Sequence, residues 1–270
     1  MNLKTRVKKI VLKNSNAALL TGTGRCGTSF LANALGALHP ELHVEHEIEP
    51  TMIGIQNLNQ QDQIEHIIKG RGRLAWSNWI KQRKSTALIE SNCFLAPAAE
   101  TFMSVWGNCK TIGVIRNWDA CIESMASQTY SDSPHFFYAN HDHQSGRRPN
   151  PVILGLMERK EWEQYERIEK IAWYSSYVNG HLLDLAEKDP KNVKLISFEM
   201  MKSETDAVLQ EIQAFFQLPI RKLERKVATN SSIERKQRRL SLGEFEPEIV
   251  KRIHTQIKTV DERAVKYFTD

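Results

Sequence analysis

The sequence predicts an α/β fold: a parallel β-sheet flanked by helices. Three observations predict it. Short apolar runs alternate with longer amphipathic stretches, the pattern of strands joined by helical crossovers. The first apolar run, Ala17–Thr21, leads at once into a glycine-rich turn and then a helical pattern. The chain has 270 residues, of which 41% are hydrophobic and 26% charged. That is enough to bury a core without disulfides or metal clips. Disordered and collagen-like classes do not fit those figures.

Taken in order, Ala17–Thr21 (AALLT) reads as a buried strand and Thr28–Leu38 as the helix after it. Ala87–Ser91 and Thr111–Ile115 are the next strands, the latter followed by a helix from about Trp118 to Ser127. Glu158–Glu187 carries one long helical pattern, or two helices in succession. Val193–Phe198 is a fourth strand. Ser203–Phe216 reads as a helix whose Ser203 and Asp206 stand at capping-box positions. The last 25 residues are helical in pattern and mostly polar on the outside. Crossovers between the strands are expected to be right-handed. Two long loops, Tyr130–Pro151 and Pro219–Gly243, break the alternation; loops of that length usually serve function. There is no internal repeat, low-complexity tract or linker, so residues 1–270 read as a single domain.

The opening stretch is basic but has no long apolar segment, which predicts no cleaved signal peptide. No apolar run is long enough for a membrane span. Cys26, Cys93, Cys109 and Cys121 form no C-x-x-C pair. Reduced thiols and a cytoplasmic location are the expectation.

The strongest local signal is TGTGRCGTSF, residues 21–30. Gly22-x-x-x-x-Gly27-Thr28-Ser29 has the frame of a P-loop, with a strand before it and a helix after it. Glycines let the backbone approach an anion, and the N–H groups at the helix start point at it. Gly24, Arg25, Cys26, Gly27, Thr28 and Ser29 are the candidate binding residues. Thr28 stands where a nucleotide triphosphatase carries lysine, and the cation lies within the loop as Arg25. That disfavours β,γ-phosphate and Mg²⁺ chemistry. A ligand-free tight turn is the plainer alternative.

The second signal is IGVIRNWDACIESM, residues 112–125. A strand delivers Arg116 at its C-terminal end, and Ser124 follows about two turns into the next helix. Ligands of open α/β sheets bind at such strand ends. An arginine and a hydroxyl there suit a second phosphate. Alone, this motif is equally a surface arginine with a serine on a helix face.

Together these segments resemble the sulfotransferases that use 3′-phosphoadenosine 5′-phosphosulfate (PAPS). GTGRCGTSFL is similar to their 5′-phosphosulfate loop, in the form with arginine. IRNWDACIES is similar to their 3′-phosphate motif, with Arg116 and Ser124 eight residues apart. VKLISFEMMKSETDAVLQEIQAFFQLP, residues 193–219, resembles a later strand–helix segment of that family. Asn117-Trp118 replaces the common Asp-Pro, and Cys26 the common Ser; neither change removes a charge. The resemblance implies a P-loop-like sulfotransferase fold and an in-line transfer of a sulfuryl group to an acceptor hydroxyl on a glycan, lipid or small molecule. It implies PAPS as donor and adenosine 3′,5′-bisphosphate as product. Arg116 and Ser124 would hold the 3′-phosphate, and Arg25 would face the developing charge.

A base must take the acceptor proton. HVEHEIEP, residues 43–50, supplies candidates. Glu47 fits the family's His-Glu arrangement best, with His46 beside it and Glu45 also open. Solvated charges at a strand end are the alternative. His135, His141 and His143 surround Asp142 without a further ligand at sensible spacing, so no metal site is predicted. Phe136, Phe137 and Tyr138 are expected as apolar contacts of a lid or acceptor loop. Most of Trp162, Trp173, Tyr174 and Tyr177 are expected in the core, with one left to stack on an adenine. Glu90-Ser91-Asn92 ends a strand on the ligand side.

Lys+Arg 37 against Asp+Glu 32 gives a net charge of +5. Residues 1–13 hold +5 and residues 221–239 hold +6, which leaves the remainder at −6. The later cluster includes Lys236 and Arg238, candidates for closing over the 3′-phosphate. A nucleic-acid partner is disfavoured, because the cluster lacks interleaved aromatics. A P-loop kinase and a nonenzymatic anion-binding or nucleic-acid-binding protein are the rival functions. The oligomeric state is left open.

Overall fold

The computed structural model describes residues 16–47, 54–82, 87–107, 109–128, 137–138, 148–224 and 240–269. Five strands form one sheet: β1 (Asn16–Gly22), β2 (His43–His46), β3 (Ala87–Ser91), β4 (Cys109–Ile115) and β5 (Val193–Ser197). Their order is β2-β3-β1-β4-β5, and every pairing is parallel. β1 is central because its side chains are apolar on both faces: Leu19 and Leu20 point opposite ways and both are fully buried. Each such side chain contributes about 1.5–3 kcal/mol, and a slip of one residue would exchange the faces.

Helices cover both faces. On one face lie α1 (Thr28–Leu38), α7 (Phe198–Ser203) and α8 (Thr205–Phe215). α1 buries Leu31, Leu35 and Leu38, a stripe at helical spacing. On the other lie α2 (Gln61–Gln82), α3 (Ala99–Trp106), α4 (Trp118–Ala126), α5 (Arg159–Gln164), α6 (Arg167–Lys188) and α9 (Pro247–Thr269). α9 turns Ile249, Ile253 and Ile257 inward onto α6.

The pattern over 158–187 resolves into two helices. α5 ends at Tyr165, whose backbone is extended. α6 restarts where the Glu166 N–H donates to Glu169 Oε2 at 2.9 Å. The expected cap at Ser203 does not form. Ser203 closes α7, and its hydroxyl donates back to Glu199 O at 3.1 Å, so α8 begins after Glu204 with no side-chain cap. Two helices, α2 and α3, carry no expectation from the sequence, and β2 is touched only by the strand-end alternative for residues 43–50. No helix among the described residues is long and apolar enough to cross a membrane.

Candidate active site

The site is built where β1 and β4 end side by side. Their register pairs Gly22 with Val114, so the turns after the two strands leave the sheet at one level. In the first turn, Gly27 caps α1 with φ 87°, a region L-residues avoid. A Cβ there would lie 2.5 Å from Met201 Cε. Gly24 is needed for a different reason: a Cβ would meet the Phe137 ring at 2.4 Å. Cys26 points inward, fully buried, and its thiol donates to Thr23 O at 2.7 Å. Burial pushes that thiol well above its ordinary pKa, so it remains a donor that braces the loop from beneath. Thr28 and Ser29 open α1, Thr28 buried and Ser29 half-buried.

Arg25 also holds a left-handed backbone, φ 71°, and residues of the second motif pin it on both sides. Arg116 Nη1 donates to Arg25 O at 2.8 Å. Arg25 Nε donates to Ser124 Oγ at 3.4 Å. Three residues expected from two separate motifs therefore share one hydrogen-bonded cluster. The third motif supports it: the Phe198 ring lies 4.6 Å from the Arg116 guanidinium, and Glu199 Oε1 accepts from Asn117 N at 3.0 Å. Asn117 itself caps α4 by accepting from Ala120 N.

Glu47 follows β2 and holds φ 52°. Its N–H donates to Ser91 O at 2.8 Å, and its Oε1 accepts from Cys93 Sγ at 3.5 Å. His46 lies beside it, Nε2 3.8 Å from that Oε1. The Ser91 hydroxyl fixes the His46 tautomer. Ser91 donates its one proton to Thr28 O at 2.9 Å, so His46 Nδ1, 3.0 Å away, must be the donor to Ser91 Oγ. The other nitrogen, Nε2, faces Glu47. Glu45 points elsewhere, pairing with His43 at 3.1 Å.

Glu90-Ser91-Asn92 is scaffold. Glu90 is buried and paired with Arg71 at 2.5 Å, and Asn92 Oδ1 accepts from Phe94 N to cap the next turn. Phe137 and Tyr138 are buried rather than lid-like: Phe137 packs on Gly24, and Tyr138 Oη donates to Pro149 O at 2.6 Å. Trp162 and Tyr174 are fully buried, while Trp173 and Tyr177 are half-buried. Of the basic cluster, Arg221 has a structural role, donating to Leu38 O at 2.7 Å and to Glu41 Oε2 at 2.9 Å. Lys236 and Arg238 lie outside the described residues, as do Phe136 and the His135, His141, Asp142 and His143 group. Among the described residues no His, Cys, Asp or Glu cluster suits a metal ion.

The sequence reading gives no site role to Cys93 or Arg148 and expects Tyr174 among the core aromatics; all three are buried directly beneath the site. Gly24 N donates to Tyr174 Oη at 3.3 Å, and Arg148 Nη1 reaches the same oxygen at 3.2 Å. No local motif marks them.

The model of the sulfotransferase domain family matches residues 15–256. Among solved structures, the sulfotransferase from Alicyclobacillus acidocaldarius superposes with a TM-score of 0.56 at 15% identity, covering 94% of this chain and 96% of that one. The sulfotransferase domain of the Synechococcus PCC 7002 olefin synthase aligns over 95% of each chain at 14% identity, with a TM-score of 0.49. No curated protein sequence matches the chain. The first structural likeness is one of fold. The domain model, spanning both phosphate motifs and the strand–helix segment after them, decides the family: the chain belongs to the sulfotransferases.

Proposed function

We propose that this sulfotransferase uses PAPS as donor and transfers its sulfuryl group to an acceptor hydroxyl on a glycan, lipid or small molecule, leaving adenosine 3′,5′-bisphosphate. The observation that carries this reading is the convergence of Arg25, Arg116 and Ser124 in one hydrogen-bonded cluster. The residues fit a doubly phosphorylated nucleotide. The N-terminal end of α1 has neither a side-chain cap nor an acid in its first turn, which leaves its amides and dipole to an anion. Arg116 Nε is buried and has no acceptor, as expected of a group that waits for a phosphate oxygen.

Bound there, the donor supplies an activated sulfuryl group. The chain's own part is positioning and electrostatics. Backbone amides from Arg25 to Ser29, with the Thr28 and Ser29 hydroxyls, hold the 5′-phosphate, while the Gly24 amide stays on Tyr174. Arg25 lies toward the bond that breaks and takes up the negative charge that develops there. Arg116 and Ser124 hold the 3′-phosphate. Glu47 receives the acceptor's proton at a carboxylate oxygen, with His46 as its neighbour on the exposed side. No metal step is invoked, because the two arginines supply the positive charge.

Thermal shift with adenosine 3′,5′-bisphosphate against ATP·Mg²⁺ tests the donor. Stabilisation by the bisphosphate is expected; a response to ATP·Mg²⁺ alone would overturn the reading in favour of a phosphotransferase. Transfer of ³⁵S-sulfate from labelled PAPS to extracted acceptors tests the reaction. Glu47→Gln is expected to lower kcat by about 10²–10⁴-fold with bisphosphate binding intact. Arg25→Ala is expected to lower kcat by about 10²–10³-fold and binding far less. If Arg25→Ala changes affinity alone, Arg25 is a ligand and not a transition-state group.

A further inference from the structure

Arg148 is 1% exposed, yet its guanidinium lies between two parts of the site. One nitrogen, Nη1, reaches Cys93 Sγ at 3.5 Å and Tyr174 Oη at 3.2 Å. Beyond Cys93 lies the base candidate: the thiol donates to Glu47 Oε1 at 3.5 Å. Beyond Tyr174 lies the phosphate loop: Gly24 N donates to the phenol oxygen at 3.3 Å. The two hydrogens of Nη1 therefore serve both branches at once. Aromatic rings hold the guanidinium in place, Phe94 at 4.7 Å, Phe137 at 4.3 Å and Tyr174 at 5.5 Å from its central carbon. Phe137 is the same ring that packs against Gly24.

The chemistry of each relay group suits the task. Burial pushes the Cys93 thiol up, with Arg148 pulling the other way, so it stays protonated and can donate to a carboxylate. Burial likewise pushes the Tyr174 phenol up, against the pull of Arg148, so its oxygen accepts as a neutral hydroxyl. Arginine is the one side chain that offers two hydrogens on one nitrogen, permanent charge and a flat face for aromatic cages. A lysine would place a point charge there without the fork.

We infer that Arg148 is a positioning residue that couples Glu47, through Cys93, to the Gly24 amide of the phosphate loop, through Tyr174, so that base and donor site are set as one unit. The inference rests on the sulfuryl-transfer reading above. Its signature is non-additivity, since groups acting as a unit lose function together.

The test uses the full chain, labelled PAPS and an acceptor found by the screen above. Cys93→Ala and Tyr174→Phe are each expected to lower kcat by about tenfold, the scale of one hydrogen bond to or near a charged group. The double variant is expected to lose no more than about tenfold. Donor KM stays within about threefold, and Cys93→Ser, which keeps a donor, recovers most of kcat. Arg148→Lys does not recover kcat. Melting temperature, read on every variant, separates coupling from unfolding; should Arg148→Lys fail to fold, the Cys93 and Tyr174 variants carry the test. Independent losses that multiply to about a hundredfold in the double variant would overturn the inference. So would equal impairment by Cys93→Ser and Cys93→Ala. If the wild type transfers no sulfuryl group from PAPS, the functional reading falls and this inference with it; if it transfers and the variants behave independently, only the inference falls.

Discussion

Arg25 and Glu47, the residues given the two chemical roles, share a backbone feature. Both hold φ in the left-handed region, at 71° and 52°. For a residue with a side chain that costs about 1–3 kcal/mol, and it persists only where neighbours fix it. Arg116 fixes Arg25 by capturing its carbonyl; Ser91 fixes Glu47 by capturing its N–H. The same local logic explains Cys26. Its side chain is buried and closes the loop on Thr23 O, a task for any small donor. Serine offers a stronger donor of similar shape. Cys26→Ser is therefore expected to keep kcat and donor KM within about threefold and to shift stability by less than about 1 kcal/mol. Kinetics and thermal melts check this. A large loss would mean that the thiol does more than brace the loop.

At the scale of elements, the two ends of α1 differ. Its start has no side-chain cap and is the end proposed above to take an anion. Its C-terminal end is closed by Arg221, which donates to Leu38 O and to Glu41. Glu41 is held near a pKa of about 2, from an ordinary 4.5, first by its hydrogen bond from Arg221. A depressed carboxyl stabilises the fold above its unfolded pKa and loses that contribution as pH falls through the folded value. The difference in melting temperature between wild type and Glu41→Gln is thus expected to be constant near neutrality and to close between about pH 4.5 and pH 2. A difference that holds through that window would show that Arg221 does not act through this carboxylate. Legibility also divides by element. β3 matches its expected bounds, Ala87–Ser91, because its apolar start, Ala87-Leu88-Ile89, marks a strand buried inside a parallel sheet. β2 is an edge strand of sequence HVEH, with one apolar residue in four, so nothing in its composition distinguishes it from a loop. Arg116 and Ser124 could be read because their spacing is fixed along one strand–helix turn. Cys93, Arg148 and Tyr174 could not. Their contacts span 55 residues in one case and 150 in another, and only burial assembles them.

For the whole molecule, charge matters by location. A chain of net +5 has a remainder of −6 once the segments 1–13 and 221–239 are set aside. Among the described residues, the proposed binding cluster takes its positive charge from Arg25 and Arg116. Two described facts bear on what the 221–239 segment does. Arg221 is already committed to Glu41 and the end of α1. At the other end, Leu240 N donates to Ser127 Oγ at 2.8 Å, and Leu242 N donates to Glu123 Oε1 at 2.9 Å. Glu123 and Ser127 flank Ser124, so the chain leaves the basic segment beside the residue assigned to the 3′-phosphate. Lys236 and Arg238 precede Leu240 by four and two residues. We therefore propose that they close on that phosphate. Each charge-assisted bond contributes about 1.5–3 kcal/mol, roughly ten- to a hundredfold in affinity. Lys236→Ala/Arg238→Ala is expected to weaken adenosine 3′,5′-bisphosphate by about a hundredfold or more. Adenosine 5′-monophosphate, which lacks the 3′-phosphate, should change by less than about threefold. Calorimetric titration of both nucleotides measures this. Equal losses for the two nucleotides, abolished at about 1 M salt where the screening length falls to about 3 Å, would mean that the segment acts as a diffuse field and not as a pair of ligands.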